Sequence, residues 1–268
     1  MNAVTHTKRI VTAALLVVVL AVALHLGGWV LWAAVLVFSG AALWEFYALF
    51  WPGSERRLKG LGLACTLVLL LAARLSDGPW PVLALMALFW AGNMAFLVRY
   101  SARPDDTRYR DSLVFLAGLL YIPLALQFFL GFSARETVYV ILAAAASDTA
   151  AFYVGSLLGR RKVWPVISPK KSWAGSMGSL GGCAAFSLAY GLMLGSAPWY
   201  AWLGLAVVVN AAAQFGDFFE SALKRSLAVK DSGALLPGHG GVLDRIDSLL
   251  FVLPVYALVR QAVTFFGQ

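Results

Sequence analysis

Long apolar runs divide this chain, and they constrain its fold more than any other feature. They cover residues 10–26, 29–50, 61–75, 81–100, 112–132, 137–158, 175–195, 200–219 and 248–266. Most reach or approach the roughly 20 residues that an α-helix needs to cross a bilayer core. Backbone groups in lipid must hydrogen-bond to one another, which only helices and closed β-barrels achieve. These runs lack the alternation of apolar and polar residues that barrel strands show. The sequence therefore predicts an all-α fold, a polytopic helical membrane protein with about nine transmembrane helices.

The composition excludes an ordinary soluble domain, because 61% of the residues are hydrophobic and only 13% are charged. We expect one integral membrane domain over residues 1–268, with scaffold spans in 1–132 and the catalytic half in 133–268. The cysteines, Cys65 and Cys183, lie within apolar runs, so neither a disulfide nor a metal role is expected of them.

The net charge of +8 reports membrane topology rather than nucleic-acid binding. If nine helices place alternate loops on opposite sides, every basic residue except Arg74, Arg135 and Arg260 falls on one side. The positive-inside rule then predicts a cytoplasmic amino terminus. Lys8, Arg9 and the first apolar run also resemble a cleavable signal peptide. Cleavage would reverse the side of the next basic loop, so we expect an uncleaved first helix.

Charge of both signs is concentrated in residues 221–247, a polar and glycine-rich segment between two apolar runs. The charged or titratable residues of this segment are Lys224, Arg225, Lys230, Asp231, His239, Asp244, Arg245 and Asp247. In a chain so poor in charge, this cluster indicates a multiply charged ligand at that face. It predicts a phosphate-rich substrate with a divalent metal.

Asp148 lies about ten residues from the cytoplasmic end of its predicted helix, hence roughly 15 Å into the membrane. A carboxylate at that depth needs a partner or a wet cavity. Two interpretations stay open: a buried Asp bonded to a neighbouring helix, or the wall of a cavity open to the cytoplasm. Gly155 with Gly159, and Gly178 with Gly182, have the spacing of helix-packing seams.

A second polar face is predicted where the run ending at residue 219 meets the charged segment. Asp217, Glu220, Ser221 and Lys224 follow the helical spacing i, i+3, i+4 and i+7. Magnesium commonly takes one or two carboxylates and completes its shell with substrate phosphates and water. This face suits such a complex; the alternative is a solvated face joined by i,i+4 ion pairs.

Residues 168–175 precede another apolar run and contain Lys170, Lys171 and Ser172. Ser172 is predicted to cap that helix, whose free N–H groups would form an anion site beside two lysines. Alternatively, the lysines only set topology. Further along, glycines around His239 let backbone approach a ligand closely, although a histidine alone does not indicate catalysis.

Asp244 and Asp247 stand at the entry to the last apolar run. Carboxylates are favoured at helix N-termini, so one of the two can be a cap, and Asp244 is the better candidate for a metal ligand.

Taken together, these residues resemble the phosphatidate cytidylyltransferase (CDP-diacylglycerol synthase) family. The matching elements are Ser221, Leu223, Lys224-Arg225, Lys230-Asp231, Pro237-Gly238-His239-Gly240-Gly241 and Asp244-Arg245-Ile246-Asp247, with Asp148, Ser168-Pro169-Lys170-Lys171 and Gly216-Asp217 upstream. Ser172 stands where the family usually has Thr, and Ala174 where it usually has Glu. Ala174 removes a carboxylate, which puts a metal or orienting role at that position in doubt.

The resemblance implies transfer of a cytidylyl group from CTP to phosphatidic acid, with release of pyrophosphate. The catalytic residues expected from it are Asp217, Lys224, Arg225, Lys230, Asp231, Asp244 and Asp247. The substrate-binding residues expected are Ser168, Lys170, Lys171, Ser172, Ser221, His239, Gly240, Gly241 and Arg245. Mg²⁺ is expected on Asp148, Asp217 and Asp244, as one or two divalent ions or with a second monovalent ion. A homodimer and a bacterial inner-membrane location, with the site facing the cytoplasm, are further expectations.

Two rivals stay open from the sequence. One is another enzyme of lipid metabolism that uses CTP, either a polyprenol or phytol kinase or a cytidylyltransferase for a different lipid phosphate. The other is a transporter in which Asp148 carries protons. Transporters often contain paired repeats with broken helices, which we do not find, and that alternative does not explain the 221–247 segment.

Overall fold

The computed structural model describes residues 3–53, 56–75, 79–102, 104–106, 108–238 and 240–267. The regular structure in these ranges is helical apart from two isolated bridges, Lys162 with Ser172 and Leu236 with Gly240. The α-helices are α1 (Ala3–Leu26), α2 (Gly28–Phe50), α3 (Arg56–Leu75), α4 (Trp80–Ala102), α5 (Tyr109–Tyr121), α6 (Pro123–Leu126), α7 (Ala134–Leu158), α8 (Trp173–Leu194), α9 (Trp199–Ser226) and α10 (Leu243–Ala262). The predicted all-α class is confirmed.

Seven helical segments of the described chain are long and apolar enough to cross a membrane. They are Gly28–Phe50, Arg56–Leu75, Val82–Ala102, Tyr109–Gly131, Ala134–Leu158, Trp173–Leu194 and Trp199–Ser226. The chain is therefore an integral membrane protein. The first predicted span corresponds to a shorter apolar stretch, Ile10–Leu26, within α1, and the last to α10. The count of nine spans stays a prediction.

Several helix boundaries differ from the bounds of the predicted apolar runs, and two of the differences bear on the site or its neighbours. The run at 112–132 is interrupted after Tyr121, where Pro123 opens the short α6, because proline has no N–H for the helical ladder. Gln127–Gly131 then continues as a 3₁₀ helix. Helix α9 continues seven residues beyond the apolar run that ends at 219, and so includes the predicted helical face from Asp217 to Lys224. Its extra turns carry an i,i+4 ion pair, Glu220 with Lys224 at 2.7 Å.

The first of two compact units comprises Met1–Leu130 and Asp231–Asp244. Its core contains fully buried Leu43, Tyr47 and Leu119. The Tyr47 hydroxyl donates to the Phe115 carbonyl at 2.6 Å, and a Cβ on Gly62 would overlap the Tyr47 ring. The buried ring is therefore fixed both by packing and by its polar end.

The second unit comprises Gly131–Lys230 and Arg245–Gln268. Helices α7 and α8 pack closely along small residues: a Cβ on Gly178 would overlap Val154, and one on Gly182 would overlap Ala150. The predicted seam at Gly178 and Gly182 is confirmed. Helix α7 starts with a capping box in which Ser133 and Glu136 each accept the other's backbone N–H.

Candidate functional site

A cavity of ≈ 570 Å³ lies within the second unit, among α7, the loop before α8, α8 itself and α9. Its polar lining includes Asp148, Lys170, Lys171, Ser172, Gln214 and Asp217. Of the two interpretations of Asp148, the structure favours the cavity wall, because its side chain is exposed on this surface. Residues that are distant in sequence and of opposite charge thus meet at one surface of the unit.

Lys171 and Asp217 form an ion pair in the lining of this cavity. The Lys171 ammonium also lies 4.5 Å from the centroid of the Phe218 ring, whose own edge contact with Trp164 has a centroid separation of 4.9 Å. A cation beside a carboxylate and an aromatic face is held in a defined direction. Both charged side chains are still about 30% exposed, at 29% for Lys171 and 31% for Asp217, so a ligand can reach them.

Ser172 is the N-cap of α8, and its hydroxyl accepts the Gly175 N–H at 3.2 Å. The predicted cap is confirmed. Two glycines leave room for α7 and the start of α8 to lie this close together. A Cβ on Gly159 would overlap the Ser172 hydroxyl, and one on Gly175 would lie 3.0 Å from the Ala151 carbonyl. The first turn of α8 therefore lies beside Lys170 and Lys171 at the cavity. Its Trp173 and Gly175 N–H groups, predicted to be free for an anion, are already bonded to the Arg161 carbonyl and the Ser172 hydroxyl.

The inner wall of the cavity leads to a buried polar cluster that sequence reasoning did not identify. Ser147 and Ser179 both donate to the Asn210 side-chain oxygen, at 3.0 Å and 2.5 Å, and their hydroxyls are 2.7 Å apart. Ser179 also lines the cavity. The sequence signal available for this cluster was that each of the three polar residues stands in a different apolar run. Lys162, which also lines the cavity, was noted only as a topology residue.

The polar face of α9 continues past Asp217 toward the cytoplasmic loop expected there. Glu220 is buried and accepts from Lys224 at 2.7 Å, so the ion pair of the alternative interpretation exists but is not solvated. Asp247 is buried beside the carboxylates of Asp217 and Glu220. A Cβ on Gly216 would lie 2.6 Å from the Asp247 carbonyl, which explains the glycine there.

Several predicted residues lie elsewhere in the second unit. Ser168 shapes a turn: its carbonyl accepts the Lys171 N–H at 3.3 Å. Ser221 is half-buried on α9, whereas Arg225, Lys230 and Arg245 are exposed. Within the described chain, none of these five lines the cavity. Their assigned roles stay predictions.

The remaining predicted residues belong to the first unit, in the 231–243 loop and at the start of α10; within this group His239 lies outside the described residues. Both Asp244 carboxylate oxygens accept the Ser232 N–H at 3.1 Å, and one accepts the Gly241 N–H at 2.8 Å. Gly240 has φ +80°, a conformation that favours glycine, and a Cβ there would lie 2.9 Å from Asp244. Asp231 is exposed. The glycines thus bring backbone close to a carboxylate, and ligand binding by Gly240 and Gly241 stays a prediction.

The donor chemistry of the cavity suits a metal–phosphate complex. Among the residues that the structure describes, no group of three or more His, Cys, Asp or Glu side chains forms a metal site on its own. Mg²⁺ does not need such a cage, because one or two carboxylates suffice when phosphate oxygens and water complete the octahedron. Asp148 and Asp217 supply that number of carboxylates beside two lysines.

Comparison with known proteins agrees with this chemistry. The sequence model described as the cytidylyltransferase family matches residues 7–263. A protein of Staphylococcus aureus (strain COL) named phosphatidate cytidylyltransferase is 36% identical over 186 residues, covering 66% of this chain and 70% of that one. Proteins of the same name from Thermotoga maritima and Bacillus subtilis (strain 168) are 35% and 34% identical, over 67% and 59% of this chain and 69% and 62% of their own.

Proposed function

The chain belongs to the cytidylyltransferase family, and we propose that it transfers the cytidylyl group of CTP to phosphatidic acid, giving CDP-diacylglycerol and pyrophosphate for phospholipid biosynthesis. The observation that carries this proposal is the cavity in the second unit. It combines two lysines, two carboxylates and a helix N-terminus within apolar helices. That combination suits a triphosphate and a lipid phosphate together.

The reaction does not need a strong general base, because the phosphate of phosphatidic acid is already anionic near neutral pH. The oxygen of that phosphate attacks the α-phosphorus of CTP, and pyrophosphate leaves. The protein has to neutralise charge, align the two phosphates and stabilise the leaving group. Lys170, Lys171 and Ser172, the N-cap of α8, line the cavity, which supports the proposal that they would perform these tasks.

Mg²⁺ would be held by Asp217 and Asp244, with Asp148 near it or on it. Bound there, the ion would neutralise phosphate oxygens. The shared cavity of Asp148 and Asp217 supports two of these three assignments. Lys171, which pairs with Asp217, would turn its ammonium to phosphate when the nucleotide arrives. A second ion, divalent or monovalent, is a further expectation.

The other predicted residues complete the proposal. Lys224, Arg225 and Lys230 would hold phosphates, and Asp231 and Asp247 would orient those cations. Ser168, Ser172, Ser221, His239, Gly240, Gly241 and Arg245 would contact the substrates. Motif spacing supports these roles, and for Ser172 its place in the cavity lining supports it as well.

The proposed setting is a bacterial inner membrane, in which α1 and α10 join the seven apolar segments to make nine spans. The amino terminus and the site then face the cytoplasm, where the positive-inside rule places most basic residues. Phosphatidic acid would enter sideways between helices and keep its acyl chains in the bilayer. A homodimer is a further expectation.

Product analysis tests this proposal. Purified protein in lipid receives magnesium, phosphatidic acid and CTP labelled at the α-phosphate. Label in a chloroform-soluble CDP-lipid, with pyrophosphate released, is the expected result. Label that stays in water-soluble CDP would overturn the proposal in favour of a kinase, and unconsumed CTP with every lipid offered would favour transport.

A further inference from the structure

Glu45 is a buried carboxylate that the motif analysis left without a role. It lies near the end of α2, in the half predicted to be scaffold, and only 3% of it is exposed. A charged or polar group in such a place costs free energy unless it is hydrogen-bonded. Its described partners come from the 231–243 loop of the same unit, far away in sequence.

The contacts of Glu45 bracket the loop from both sides. Its Oε2 accepts the Leu243 N–H at 2.9 Å, immediately before Asp244, and lies 3.5 Å from the Ser232 hydroxyl. Ser232 in turn donates its N–H to both oxygens of Asp244. The Glu45 carboxylate therefore contacts Leu243, which precedes Asp244 in the chain, and Ser232, which is hydrogen-bonded to Asp244.

The loop is also shaped to close over this carboxylate. A Cβ on Gly233 would overlap Glu45 Oε1, and one on Gly241 would overlap the Ser232 hydroxyl and lie 2.5 Å from Glu45 Oε2. A third tether comes from α1, where the Thr12 hydroxyl donates to the Pro237 carbonyl at 3.1 Å. Glycine at 233 and 241 is thus required by the approach to Glu45, independently of any ligand.

We propose that Glu45 is a positioning residue: its carboxylate holds the 231–243 loop against α2 and thereby fixes the direction of Asp244. The consequence for catalysis rests on the proposed function, in which Asp244 binds magnesium. The consequence for the loop does not, since it follows from the hydrogen bonds and from the space that the two glycines leave.

The test is hydrogen–deuterium exchange of the full chain in lipid nanodiscs, comparing wild type with Glu45→Gln. Hydrogen bonds to a charged acceptor are stronger than neutral ones, so the amides of residues 232–243 should exchange at least about tenfold faster in the variant. Amides of α7 to α9 should keep their wild-type rates. Glu45→Asp retains the charge and should restore part of the protection.

Three further variants separate this role from a general loss of stability. Glu136→Gln removes a buried carboxylate that bonds Tyr256 and Arg260 in the other unit, and should leave the 232–243 amides unchanged. Gly233→Ala keeps Glu45 but places a methyl group between its carboxylate and the loop, and should also speed exchange of the 232–243 amides. Gly60→Ala adds a methyl group that contacts nothing and should leave that exchange unchanged.

Turnover supplies the second readout. With the loop loosened, the magnesium concentration for half-maximal turnover should rise several-fold in Glu45→Gln while KM for phosphatidic acid stays constant. The proposal is overturned if loop exchange is unchanged, or if it rises equally in both units. If wild-type protein transfers no cytidylyl group, the proposed function fails, and the exchange data still decide whether Glu45 holds the loop.

Discussion

Two regions of this protein hold carboxylates in an apolar chain, and they stabilise them in different ways. In the first unit, Glu45 of α2 and Asp244 accept backbone N–H groups of residues 241–243, at the end of a loop folded closely around the two carboxylates. In the cavity of the second unit, Asp217 pairs with the Lys171 ammonium, and both side chains keep about a third of their exposure. Backbone donors cannot leave, whereas a lysine side chain can rotate away.

The difference indicates which carboxylates are available to a ligand. A carboxylate enclosed by amides shapes the chain, and a carboxylate paired with a side-chain cation can exchange that cation for metal or hold it beside phosphate. Asp244 belongs to the first kind by its described hydrogen bonds, yet it is proposed as a metal ligand. Its role therefore depends on the loop that holds it.

The largest expected effect comes from the cavity cation. Lys171→Met removes the charge proposed to stabilise phosphate while keeping an unbranched side chain only one atom shorter. We expect turnover to fall about 100-fold, as when one charge-stabilising donor is removed from an active site. Initial rates with labelled CTP measure it. Arg161→Met, an exposed residue of the same loop that does not line the cavity, should stay within twofold of wild type; equal losses would show that net charge alone matters.

The next largest effect is expected on stability, from the packing of α7 against α8. Gly178→Ala forces a methyl group against Val154 across the α7–α8 seam, and overpacking of this kind costs about 1–3 kcal/mol. Gly181→Ala on the same helix contacts nothing and should stabilise the helix by about 0.5–1 kcal/mol. Thermal unfolding in one detergent compares the two. Opposite signs support the seam, and equal midpoints would contradict it; exchange in the 232–243 loop should not respond to either.

The smallest effect concerns the cap of α8. Ser172→Ala removes the acceptor of the Gly175 N–H and should cost about 1 kcal/mol of stability. Ser172→Thr keeps the hydroxyl and should unfold at the wild-type temperature. Thermal melts of the two variants measure this. If Ser172→Thr unfolds below wild type and Ser172→Ala does not, the small volume beside Gly159, rather than the hydrogen bond, determines the residue at this position.

The helices were predictable because length and hydropathy largely determine a segment in lipid. Seven candidate spans correspond to predicted runs within a few residues at most ends. The apolar run of α9 ends at 219 because its last turns are polar. Hydropathy carries no signal there, and it is the helical spacing of Asp217, Glu220 and Lys224 that predicts the polar turns. The comparisons confirm the family and the enzyme class inferred from motif spacing.

The lining of the candidate site was predictable where short motifs contribute to it. Asp148, Lys171, Ser172 and Asp217 were singled out from the sequence and line one cavity. Glu45 was not given a role, because its partners lie 187 and 198 residues later and only the tertiary fold brings them together. The same holds for Ser147, Ser179 and Asn210, which look like ordinary polar residues in separate helices until packing joins their side chains.

Transfer of the α-label of CTP by Asp217→Asn, measured across a magnesium titration, tests the central claim most directly. The variant keeps the volume of the side chain but loses the charge that pairs with Lys171 and is proposed to bind magnesium. Asp105→Asn, which changes an exposed carboxylate, is the matched control. We predict a loss of at least about 100-fold that saturating magnesium does not restore. Near-wild-type turnover of Asp217→Asn at any magnesium concentration would contradict the account.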